Sequence, residues 1–64
     1  MQWKTLEAAR IALIRDGWTP TTAYWFTKRA YGQTLQVELD RQGDHLVPIE
    51  HPPIDDDLFA LVGM

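Results

Sequence analysis

Hydrophobic positions recur at helical spacing at the start of the chain. On a helical wheel of residues 3 to 16, Trp3, Leu6, Ala9, Leu13 and Ile14 share one arc, with Lys4, Ala8, Ala12 and Arg15 opposite. This predicts an amphipathic helix. Gly17 supplies a residue able to take the left-handed C-terminal cap, which ends the helix near Asp16 and brings Trp18 back onto Leu13 in a Schellman arrangement. Arg10 interrupts the pattern, since it projects into the apolar arc between Leu6 and Leu13, where an unpaired charge is costly to bury. Two readings fit it. Either its methylene stem covers the arc while the guanidinium reaches water, or the guanidinium meets a carboxylate of the second half or of a partner.

Further along, the period changes from helical to alternating. Leu35, Val37 and Leu39 alternate with Gln36, Glu38 and Asp40; Arg41-Gln42-Gly43-Asp44 forms a turn; and Leu46 to Glu50 returns, so a β-hairpin is predicted. Pro48 cannot donate to a ladder, which places the returning strand at a sheet edge or at a bulge. The stretch from Thr19 to Thr27 is rich in threonine and aromatic residues and reads as a strand. Thr21 or Thr22 could instead cap a helix running to Tyr31, with Ala23, Phe26 and Ala30 at helical spacing. The strand is favoured. After the linker-like His51-Pro52-Pro53, Asp55-Asp56-Asp57 opens a short apolar stretch through Leu58, Phe59, Leu61 and Val62, predicted as a helix with Asp55 as its cap. The expected fold is α+β over residues 1–64 as a single domain: N-terminal helix, three-stranded antiparallel meander, short C-terminal helix. Its alternative is a helix-turn-helix with a β-hairpin wing.

Composition narrows the function. A chain of 64 residues holds one small core, and with no cysteine it has neither disulfides nor thiolate zinc sites to reinforce it. Nothing resembling a signal peptide opens the sequence and no apolar run suits a membrane span, so a cytoplasmic protein without membrane contact is expected. There is no serine either, which leaves nucleophilic triads unsupported, and the four glycines stand apart rather than forming a phosphate loop. Asp44, His45, His51 and the three consecutive aspartates lack the spacing of known metal sites, so no metal or other cofactor is expected. His51 follows Ile49 by two and is read as a core-edge histidine bonded to backbone.

The net charge of −3 conceals a bipolar chain. Up to Gly32, five basic side chains stand against two acidic ones, a net of +3; from Gln33 on, one stands against seven, a net of −6. This favours a non-catalytic binding module that docks on a protein partner, as a regulator or inhibitor, or on a second copy of itself. The candidate contacts are Arg10, Glu38, Asp40, Asp44 and Glu50, together with the edge strand near Pro48. A nucleic-acid-binding alternative would use Tyr24, Trp25, Lys28, Arg29 and Arg41.

The order of parts, with Asp16-Gly17-Trp18 ending the first helix and Val47-Pro48-Ile49-Glu50-His51-Pro52 leading to the last, resembles the HicA toxins of toxin–antitoxin pairs. That resemblance implies a dsRNA-binding-like α-β-β-β-α mini-domain. HicA toxins carry Gly-Ser-His on the first strand, the histidine being required for mRNA cleavage. Here the region reads Ala23-Tyr24-Trp25, so the resemblance implies a non-catalytic relative.

Overall fold

The computed structural model describes residues 1–55. Helix α1 (Leu6–Arg15) is followed by β1 (Thr19–Pro20), β2 (Trp25–Ala30), β3 (Gln33–Gln42) and β4 (His45–Asp55). The strands form one antiparallel sheet in sequential order. The α+β class agrees with the sequence reading, but the sheet has four strands where three were expected.

Both ends of α1 follow from local chemistry. The Thr5 hydroxyl accepts a hydrogen bond from the Ala8 amide at 3.1 Å, satisfying one of the donors a helix start leaves unpaired. At the other end Gly17 takes φ +97°. The Trp18 amide donates to the Leu13 carbonyl and the Gly17 amide to that of Ile14, at 3.0 and 3.1 Å, which is the anticipated Schellman pair. Trp18 packs against the core containing Leu13. The helix starts later than the wheel suggested, because Trp3 is committed elsewhere: its backbone exchanges two hydrogen bonds with Leu46, extending the sheet by one bridge beyond β4. Ile14, placed on the apolar arc, is 47% exposed; Ala9 and Leu13 carry the buried contact.

The core is small. Ala9, Leu13, Phe26, Val37, Leu39 and Leu46 are its buried members, with Trp3, Leu6 and Trp18 packed around them. All lie on the helix side of the sheet, since Phe26 stands directly opposite Val37 and paired residues share a face.

The threonine-rich stretch divides into two strands around a tight turn. The Thr22 hydroxyl accepts from the amides of Tyr24 and Trp25 at 3.3 and 3.1 Å, as a helix cap would. The chain then turns back instead of coiling, and the Thr21 amide donates to the Trp25 carbonyl at 2.9 Å. Arg10 holds this turn in place: its guanidinium donates to the carbonyls of Thr22 and Ala23 at 3.0 and 2.6 Å and lies over the Phe26 ring at 5.4 Å. Of the two sequence readings of Arg10, the one that pairs it with a carboxylate of the second half gives way to backbone oxygens as its partners, and the half-buried side chain lies along the apolar arc as the other reading has it. The helix-turn-helix alternative is replaced by β2.

Two tight hairpins complete the sheet. Gly43-Asp44 has the glycine-first pattern of a type II′ turn, with Gly43 at φ +69°. Tyr31-Gly32 has positive φ at both positions, +55° and +72°, the type I′ pattern. The proposed linker His51-Pro52-Pro53 lies inside β4, at an irregularity opposite Thr34 to Gln36, where the Gln36 side-chain amide donates to the Pro52 carbonyl at 3.1 Å. Asp55, expected to cap a helix, is the last residue of β4 and pairs with Gln33. The rest of that expected helix lies outside the described residues.

Tyr31 sits in the left-handed region with its side chain 98% exposed, so no packing offsets the backbone strain. Tyr31→Asn should therefore stabilise the chain by about 1 kcal/mol, seen as a higher midpoint in thermal unfolding followed by circular dichroism.

Candidate functional site

The strand register sorts the candidate residues by face. On β4, Leu46, Pro48 and Glu50 share the helix side with Leu39 and Val37, while Val47, Ile49 and His51 point the other way. Val47 stands opposite Asp40 and Ile49 opposite Glu38, which in turn stands opposite Trp25. His51, expected at the core edge, thus lies with Val47 and Ile49 on the side of the sheet away from the core. They belong to a second face on which, among the described residues, no helix packs.

The centre of this open face is a three-residue cluster. The Trp25 and His51 rings, carried by the strands flanking β3, meet with centroids 4.5 Å apart and planes tilted by 35°. The His51 Nε2–H donates to Glu38 Oε1 at 3.0 Å, and the two side chains are 32% and 37% exposed. The histidine's partner is a carboxylate and not the backbone acceptor anticipated. Half-buried Val47 and Ile49 flank the cluster and exposed Asp40 lies along β3 on the same side. The result is an apolar and aromatic patch bordered by carboxylates.

The protein-binding candidates do not form a single surface. Glu38 and Asp40 lie on the open face, Asp44 at a hairpin tip, Glu50 on the helix side, and Arg10 is spent on the Thr22–Ala23 turn. The nucleic-acid candidates are divided as well. Trp25 and Arg29 share the open face, whereas Lys28 lies on the helix side, pointing back to α1, and Arg41 stands opposite Leu46. Lys28 donates to the Asp16 carbonyl at 2.8 Å, lies 4.0 Å from the Asp16 carboxylate and sits over the Trp18 ring. Tyr24 is partly exposed beside the turn. Trp25 was named for nucleic acid and Glu38 for protein, yet they are direct cross-strand neighbours. Val47 and Ile49 are not among the candidates read from the chain and His51 is placed there on the core side, although the alternation of all three with Pro48 and Glu50 is visible in the sequence.

β4 is a sheet edge, in agreement with the reading of Pro48. Leu46 turns its amide and carbonyl outward to Trp3, so alternation turns Pro48 and Glu50 outward too. Proline has no amide hydrogen, which leaves Glu50 as the outward donor between Leu46 and His51. On the helix side a shallow groove of about 340 Å³ is lined by Leu13, Trp18, Val37 and Pro48, with Asp16 and Glu50 on its rim. Among the described residues, no group of three or more histidine, aspartate or glutamate side chains is placed to hold a metal ion, and no helix is long and apolar enough to cross a membrane.

At the tip of the β3–β4 hairpin, the His45 Nδ1–H donates to Asp44 Oδ1 at 3.2 Å. This hydrogen bond, with further help from the backbone and from the charge of His45, holds the Asp44 carboxyl below the ordinary aspartate range. A carboxylate depressed in the folded state stabilises above its unfolded pKa, and that contribution is lost as pH falls through the folded value. Carboxyl-carbon NMR titration should show Asp44 titrating at lower pH in the wild type than in His45→Ala. The chain matches no family model, no curated protein and no solved structure.

Proposed function

We propose that this protein is a non-catalytic binding module that docks on a basic surface of a protein partner through the open face of its sheet. The observation that carries this reading is the composition of that face. Trp25, Val47 and Ile49 are half-buried apolar side chains beside the carboxylates of Glu38 and Asp40, and no described element covers them. An apolar centre with a charged border is the anatomy of a protein interface, in which the aromatic anchor supplies affinity and the charges supply orientation and rate. The β4 edge is less suited to adding a partner strand, because Trp3 occupies position 46 and Pro48 offers no donor. Two carboxylates on the same face repel phosphate, which disfavours nucleic acid there.

Site-specific crosslinking tests this reading in the full chain. With a photoreactive phenylalanine analogue replacing Ile49 in cells, irradiation should yield one heterologous adduct. The same probe at Ile11, exposed on the helix, should not give that adduct. Adding Trp25→Ala to the Ile49 probe should weaken it about tenfold or more. Equal adducts from both positions, none from Ile49, or one of twice the chain's mass would each overturn docking on a partner through this face.

A further inference from the structure

We propose that the open face recognises an arginine side chain of its partner, stacked on Trp25 and paired with Glu38 and Asp40. The inference rests on the docking reading above and adds the chemistry that selects the partner. Three features converge. The contact with His51, with ring centroids 4.5 Å apart, restrains the half-buried Trp25 ring, so a stack on it costs little further side-chain freedom. The His51 hydrogen bond engages Oε1 of Glu38 at 3.0 Å and orients that carboxylate, while its second oxygen has no such bond to His51. Asp40 stands two residues further along β3 on the same side, about 7 Å away by strand geometry, which lets the two acids approach one cation from different directions.

A guanidinium suits this arrangement better than an ammonium. It is planar, weakly hydrated and forked, so it stacks on an indole while its N–H groups reach carboxylates in their own plane. Lysine would satisfy the charge but gain little from the stack. Val47 and Ile49, opposite Asp40 and Glu38, supply an apolar floor for the three methylenes of an arginine stem. The other charged or titratable groups on this face are His51 and His45 of β4 and Arg29 at the far end of β2. The chain already uses the same chemistry internally, with the Arg10 guanidinium set over the Phe26 ring at 5.4 Å.

The test is an NMR titration of the full-length protein with acetylated, amidated Gly-Gly-Arg-Gly-Gly, against the same peptide carrying lysine or the neutral isostere citrulline. The arginine peptide should shift the Trp25 indole and Ile49 methyl signals with about fivefold higher affinity than the lysine peptide, and the citrulline peptide should shift neither. In Trp25→Leu the preference for arginine over lysine should disappear; in Glu38→Gln affinity for both cations should fall. The Phe26 and Leu46 resonances report that each variant remains folded. Equal affinity for arginine and lysine in the wild type, a preference that survives Trp25→Leu, or shifts confined to Asp16 and Glu50 on the other side would overturn the proposal. A crosslink at Ile49 without arginine preference would remove this inference and leave the docking reading standing.

Discussion

Among the described residues one short helix covers one face of a longer sheet, and the packing of that face follows from the mismatch. Ten helical residues span about 15 Å, whereas the eleven residues of β4 extend over about 36 Å. Only Ala9 and Leu13 of the helix become buried, against Phe26, Val37, Leu39 and Leu46 of the sheet. So small an overlap needs its orientation fixed by other means, and two contacts of α1 do this. The Gly17 cap directs Trp18 onto the core, and Arg10 clamps the turn that leads into β2. Domains of this length bury a modest share of their surface, so each such clamp is a large part of the net stability.

Because the one described helix packs on the core side, the second face of the sheet has no helix on it among the described residues. An antiparallel sheet tolerates one solvated face, normally a polar one. Here the residues opposite the core include Trp25, Val47 and Ile49, set beside Glu38, Asp40 and His51. The Trp25–His51 contact and the Glu38 hydrogen bond tie three strands together, so this face is ordered by its own side chains. An ordered face loses little entropy when a partner covers it.

Signals that depend on neighbours in sequence were legible. The helix cap, the β3–β4 hairpin with its glycine turn and the edge position of Pro48 all follow from residues a few positions apart. Trp3 could not be placed from the helical wheel, because its bond to Leu46 spans most of the chain. Thr22 was ambiguous for a physical reason: its hydroxyl caps two amides in the same manner at a helix start and in a turn, and the outcome depends on Arg10 gripping the following carbonyls. The side of the sheet taken by Val47, Ile49 and His51 turned on a single step of register, since a shift of one residue exchanges the faces of a strand. That step separated a charged hairpin surface, as read from the chain, from the mixed aromatic and acidic patch observed.

Docking through the second face requires that Trp25, Val47 and Ile49 be open to solvent in the free protein. Solvent paramagnetic relaxation measured on the isolated full-length chain tests it directly. The Val47 and Ile49 methyls and the Trp25 indole should relax several times faster with a soluble gadolinium chelate than the methyls of Leu46 and Leu39. Protection of Val47 and Ile49 equal to that of Leu46 would mean that the face is already covered within the molecule, and would rule out docking there.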